Sequence, residues 1–167
     1  MEKLGLYIHI PFCAKKCAYC DFYSIEDGTL MNAYTYALIA QIKSFKSACK
    51  NYFVDTVYIG GGTPSILPPD HITRILDAVR ATFRVEPNAE ISMEANPGTV
   101  DEQKLKALTS MGVNRLSFGL QSIHDNELKI LGRIHNYDDF AEAFAMARRC
   151  GISNINVDMM YGIPEQT

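Results

Sequence analysis

The stretch YIHIPFCAKKCAYCDF, residues 7–22, decides how the rest of the chain reads. YIHI is a short β-rich run, and Pro11-Phe12 breaks it and opens a loop carrying Cys13, Cys17 and Cys20. Reactive groups of parallel α/β proteins gather beyond the C-terminal ends of strands, so thiols placed there point to a functional loop on such a fold.

Outward from this stretch the chain keeps a rhythm. LYIHI (6–10), DTVYIG (55–60), AEISMEA (89–95), NRLSFGL (114–120) and NINVDMM (154–160) are β-rich. Helical stripes lie between them. Tyr34, Leu38, Ile42, Phe45 and Cys49 recur at steps of three or four, as do Ile72, Ile75, Leu76, Val79 and Phe83 behind Pro68-Pro69 and an N-cap expected at Asp70. Thr99 to Glu102 has the spacing of a capping box for a helix through Leu105, Leu108 and Met111, stopped at Gly112. Phe140, Ala143, Phe144 and Ala147 form a fourth stripe, with Asp138-Asp139 at its start, where acids favour the helix dipole. Such alternation predicts right-handed βαβ units and a parallel sheet of five strands with four helical connections. A whole (β/α)8 barrel takes about 250 residues. The expectation is an α/β fold, either a small open sheet or the first part of a larger barrel. The end at GIPEQT, directly after the fifth strand, favours the truncated barrel.

The 167 residues are 47% hydrophobic and carry a net charge of −3, so no basic excess advertises nucleic acid or an anionic membrane. No apolar run reaches the roughly 18 residues of a membrane span, and the first residues lack a secretory layout. A cytoplasmic, reducing setting is expected, in which a cluster among five cysteines reads as metal or redox chemistry before disulfides. Cys49 on a helical stripe and Cys150 at a helix end read as core thiols.

Cys-x3-Cys-x2-Cys admits three readings. Structural zinc wants a fourth ligand and a second ligand pair, and none follows. A ferredoxin-type cluster also wants four cysteines. The third is a [4Fe–4S] cluster on three thiolates with one iron open, the kind of vacancy a catalytic metal site keeps for its ligand.

The motif, with aromatic Tyr19 before its last cysteine, resembles that of the radical S-adenosylmethionine superfamily. The resemblance implies that S-adenosylmethionine chelates the open iron and is cleaved to methionine and a 5′-deoxyadenosyl radical. The other strand ends sharpen it. IGGGTPS resembles the superfamily's glycine motif for the methionine amino group, here Gly61, Gly62 and Thr63, although a plain tight turn is the bland alternative. It is not a P-loop, since no GK[ST] follows. EANPGT brings Glu94, a carboxylate suited to accept from both hydroxyls of a ribose, where the family has such a residue. RLSFGLQS contributes Gln121, LGRIH contributes Arg133, and NVDMMYG contributes Asp158; singly each is an ordinary polar residue, and their order together carries the resemblance. Tyr7, six positions before Cys13, matches a family position near the nucleoside. His9 reads as a structural histidine, His135 shares the LGRIH pattern near the pocket, and neither they nor His124 are assigned as ligands.

Taken together these stretches resemble the oxygen-independent coproporphyrinogen III oxidase-like group, which holds a porphyrinogen-decarboxylating dehydrogenase and a heme-chaperone branch. The dehydrogenase carries a further cysteine two residues after the third; Phe22 stands there in this chain. That departure, with the closing DMMYGIPEQT, tilts the resemblance to the heme chaperones. It implies an incomplete radical S-adenosylmethionine core over residues 1–167, a heme site outside this chain, and a heme-receiving partner such as a respiratory protein. Oxidation of coproporphyrinogen III, and a zinc or electron-transfer module, stand as alternatives.

Overall fold

Every β-rich run forms a strand, and most start earlier than their apolar cores suggest. In the computed structural model, which describes residues 1–166, the strands are β1 (Glu2–Ile10), β2 (Tyr52–Gly61), β3 (Val85–Ala95), β4 (Arg115–Gln121) and β5 (Asn154–Met159). All pair in parallel, in the order β1-β2-β3-β4-β5. Each strand lies beside its chain neighbour. A doubly wound sheet would reverse its order at a switch point; this one is wound in a single direction, as a barrel is. Right-handed crossovers then put the main connecting helices on one face.

The helices are α1 (Met31–Ser44), α2 (Pro69–Thr82), α3 (Glu102–Ser110), α4 (Asp125–Ile130) and α5 (Tyr137–Arg149). Four expectations need correction. The cap of α3 is Asp101, whose side chain accepts from the Lys104 N–H at 2.7 Å, while Thr99 belongs to a preceding 3-10 turn. A carboxylate one residue before the helix serves its free N–H groups directly, and Thr99 is too far away to do so. Asp70 lies inside the first turn of α2, which Pro69 opens; there its charge meets the helix dipole without capping. Cys49 is not on a helix: α1 stops at Ser44, and Cys49 sits in the following turns, half-buried against the core. The β4–β5 connection holds two helices, not one, because α4 is only six residues long and too short to show a period. At α5 the expected start holds, with Asn136 and Asp139 forming a reciprocal capping box.

The two faces of the sheet differ in chemistry. Toward the helices point Ile8, Ile10, Val57, Ile59, Ile91, Met93, Leu116 and Phe118, all at most 7% exposed. They pack on Ile72, Ile75, Leu76, Val79, Leu105, Leu108 and Phe140. The alternate positions are polar: Tyr7 and His9, Thr56 and Tyr58, Glu90, Ser92 and Glu94, Arg115 and Ser117, Asn156 and Asp158. A parallel sheet covered on both faces has apolar residues on both, and a closed barrel is plugged by branched side chains. Here the face away from the helices is built for water and polar ligands. Among the described residues no helix is long and apolar enough to cross a membrane.

Candidate functional site

A cavity of about 400 Å³ opens at the C-terminal ends of the strands. Cys13, Cys17, Cys20, Tyr19, Gly61, Gly62, Thr63, Glu94, Gln121, Arg133 and Asp158, scattered over 146 positions of sequence (13 to 158), all line it. Tyr7 does not. It is 61% exposed on the polar face, stacks on Tyr58 with centroids 6.2 Å apart, and donates to or accepts from His9 Nδ1 at 3.1 Å. It reaches the cavity only through Tyr58, which does line it.

The cysteine loop is pinned at several points. Phe12 bridges to Ile25, Cys13 N–H donates to Ile25 O at 2.9 Å, and Ile25 N–H donates to Pro11 O at 2.7 Å, so the ends of the loop are tied together. Ala18 N–H donates to Leu131 O at 3.1 Å, which ties the middle of the loop to the end of α4. The T-shaped packing of Tyr34 on Phe12 fixes the ring before Cys13. Two sulfurs are solvated by the protein. Thr63 Oγ1 donates to Cys13 Sγ at 3.6 Å, and Arg133 Nη1 to Cys17 Sγ at 3.5 Å. Cys49 and Cys150 are not among the lining residues, and among the described residues no three His, Cys, Asp or Glu side chains meet where they could hold a single metal ion. Three thiols from one loop that line one open cavity fit a polynuclear cluster, in which each binds its own iron.

Beyond the thiols, β2 ends on a backbone cradle. Gly61 has φ +122°, and a Cβ there would meet the His9 ring at 2.7 Å. At Gly62 a Cβ would lie 2.7 Å from Phe12 O and 2.9 Å from Cys13 Sγ. The glycines let the cysteine loop rest on the end of β2, with Gly62 and Thr63 N–H groups donating to Ile10 O and Phe12 O. Glu94 is held by Tyr58 O–H at 2.8 Å and Gly61 N–H at 3.0 Å. Burial pushes its carboxyl above the usual range despite those donors, and the same burial, with the Glu94 acceptor, pushes the Tyr58 phenol up. Ser117 donates to Asp158 at 3.2 Å and Asn156 Nδ2 at 2.7 Å, which aims that carboxylate into the cavity. Gln121 takes φ +74° at the end of β4, where the register shifts. Left-handed backbone is uncommon for a residue with a side chain, and it turns the chain at the rim. His135 is buried and lines not this cavity but a small adjoining one shared with Cys17 and Arg133; burial and the adjacent Arg133 charge lower its pKa to about 4, so it is neutral.

Sequence reasoning missed Tyr58, Asn96 and Ser117, which also line the cavity. Each lies in or directly beside a stretch already singled out. Their signal was the period-two polar face, legible only once register places neighbouring strands side by side.

A model of the radical SAM superfamily matches residues 7–167. The chain is 39% identical to the heme chaperone HemW of Haemophilus influenzae and 40% identical to that of Escherichia coli, over 100% of its own length and 45% of theirs. It therefore spans less than half the length of these relatives. The structure of the coproporphyrinogen III oxidase HemN from Escherichia coli superposes with a TM-score of 0.92 at 31% identity, over 99% of this chain and 38% of that one. A family match that covers residues 7–167, on a chain whose parallel strands are wound in a single direction and whose three-thiol loop follows β1, leads to one assignment: the chain belongs to the radical SAM superfamily.

Proposed function

We propose that Cys13, Cys17 and Cys20 hold a [4Fe–4S] cluster, that S-adenosylmethionine completes it in the same cavity, and that the protein is a heme chaperone delivering heme to a recipient such as a respiratory enzyme. The observation that carries the cofactor reading is one cavity that joins three thiols, from a single loop, to polar side chains from the ends of β2, β3, β4 and β5. When bound, the cluster supplies an electron to the sulfonium. The chain's own residues orient and hold. Glu94, fixed by Tyr58 and Gly61, suits a ribose diol. The Gly61–Thr63 segment presents backbone groups to an amino group. Arg133, which donates to Cys17 Sγ, brings a positive charge suited to a ligand carboxylate; Gln121, Asp158 and Tyr19 line the cavity beside it, and Tyr7 stacks on Tyr58.

The heme half of the reading is supported by the relatives, which are named heme chaperones, and by Phe22. Phe22 lines the cavity mouth and is 64% exposed, at the position where the decarboxylating group carries its extra cysteine. The second reading, oxidation of coproporphyrinogen III, is favoured by the superposition with HemN. Three cysteines in the loop with no second ligand pair after them argue against a single structural zinc.

Anaerobic reconstitution with ferrous iron and sulfide tests the cofactor: iron at the stoichiometry of one cluster supports it, and zinc binding with full protection of the three thiols refutes it. The two functions separate when the chain, with whatever sequence follows Thr167, is given heme or coproporphyrinogen III without oxygen. Stable heme uptake and transfer supports the chaperone. Turnover of coproporphyrinogen III overturns it.

A further inference from the structure

Asn96 follows the last residue of β3 and lines the cavity. Its side chain joins the two donors that reach cysteine sulfur. Arg133 Nη2 donates to Asn96 Oδ1 at 2.6 Å, and Asn96 Nδ2 donates to Thr63 Oγ1 at 3.0 Å. The sense of the amide follows from chemistry. A guanidinium can only donate, so the oxygen of Asn96 must face Arg133 and its nitrogen must face Thr63. The sense of the hydroxyl then follows too. Thr63 has one hydroxyl hydrogen; with its oxygen accepting from Asn96, that hydrogen is directed to Cys13 Sγ, 3.6 Å away. Arg133, anchored by Asn96 and by Gly119 O at 2.5 Å, sends its other terminal nitrogen to Cys17 Sγ at 3.5 Å. Asn96 is held in turn by its own N–H, which donates to Ser65 Oγ at 3.2 Å.

We infer that Asn96 is a positioning residue that aims one hydrogen-bond donor at each of two cluster-ligating sulfurs, through Thr63 to Cys13 and through Arg133 to Cys17, and so raises the reduction potential of the centre. This rests on the cofactor reading above. Reduction adds one electron to the [4Fe–4S] core, taking it from the 2+ to the 1+ state at the expense of a low-potential one-electron donor, and spreads extra negative charge onto the thiolates. Donors to those sulfurs stabilise the reduced state more than the oxidised one. No part of the inference requires Asn96 to touch the cluster or its ligand.

The test is a dithionite titration of the reconstituted chain, followed by electron paramagnetic resonance of the 1+ state. Asn96→Leu keeps the size and removes both links; Thr63→Val removes the donor to Cys13 together with the acceptor of Asn96 Nδ2 and leaves the Arg133 link in place; Thr63→Ser restores the hydroxyl. Asn96→Leu and Thr63→Val each lower the ratio of reduced to oxidised cluster at a fixed potential about tenfold, equivalent to roughly 59 mV for a one-electron couple. The double variant shifts by less than the sum, because part of the Asn96 effect passes through Thr63. Thr63→Ser returns the potential to that of the parent. The inference is overturned if Asn96→Leu, with its iron intact, titrates within twofold of the parent, or if Thr63→Ser shifts as far as Thr63→Val. Should Asn96→Leu lose its iron, the Thr63 pair alone decides. Absence of a cluster in the unmodified chain is a different result: it removes the cofactor reading itself and shows in the iron assay before any titration.

Discussion

Replacing Gly62 by alanine isolates the contact on which the cysteine loop rests. The backbone there is not left-handed, so the substitution carries no torsional penalty. Its whole cost is steric. The new methyl would stand 2.7 Å from Phe12 O, 3.1 Å from Phe12 C and 2.9 Å from Cys13 Sγ. Two of those atoms are backbone, tied by the Thr63 N–H bond to Phe12 O at 2.7 Å, and cannot swing aside as the end of a long side chain would. Relief requires the loop to lift from β2. Overpacking of this kind costs about 1–3 kcal/mol. At about 2–4 °C per kcal/mol for a chain of this size, the melting temperature should fall by roughly 2–12 °C. The assay is thermal unfolding of the reduced, metal-free chain by circular dichroism, paired with iron content after reconstitution. Gly98→Ala serves as reference, since a Cβ there meets nothing within 4 Å. The expected result is a lower melting point and reduced iron in Gly62→Ala only. Indistinguishable melting and iron content in the two variants would refute the claim that close backbone approach at Gly62 seats Cys13.

Other perturbations follow from the same geometry. Cys17→Ala, which removes a cavity thiol, should abolish the visible thiolate-to-iron absorption, whereas Cys49→Ala and Cys150→Ala, away from the cavity, should retain it; retention in Cys17→Ala would sink the ligand assignment. His135 is depressed to about 4 in the fold against 6.5 in the unfolded chain, so below 6.5 the unfolded state takes a proton that the folded state refuses. Stability from this group is full above pH 6.5 and is lost as the pH falls toward 4; His135→Gln should flatten that slope in urea midpoints. Glu94 works in the opposite sense. Its raised carboxyl binds a proton in the folded state that the unfolded state has released, so stability declines as the pH rises from 4.5 through the raised value, and Glu94→Gln should remove the decline. An unchanged pH profile in either variant would reject the corresponding environment.

Much of the architecture was legible because strand and helix leave different periods. The five β-rich runs and the stripes on α2, α3 and α5 were found at their places. What escaped had physical causes. α4 is shorter than two turns, so no stripe can form. Cys49 continues the spacing of the α1 stripe but follows the helix end, since burial at the right interval does not require helical backbone. Asp101 outcompeted Thr99 as the cap because only contact with the free N–H groups counts. In the site, the thiols, the glycines and Glu94 were legible as residue types that suit a ligand. Asn96 was not, because an asparagine before proline also reads as a turn, and only the spatial meeting of Thr63 and Arg133, seventy positions apart in sequence (63 to 133), reveals its part. Tyr7 was expected at the pocket and lies one ring away from it: it pairs in register with Tyr58, whose ring lines the cavity while Tyr7 stacks beside it.

The left-handed turn at Gln121 has a bearing on how this fold could be altered. A residue with a side chain held at positive φ stores about 1–3 kcal/mol of strain, and glycine would hold the same backbone without it. A library screened only for heat tolerance should thus enrich glycine at this position, and those survivors would lack the amide that borders the cavity. Selection for endurance and selection for ligand retention pull in opposite directions at this one residue, so sequences that keep a bulky polar group there record the second pressure winning over the first.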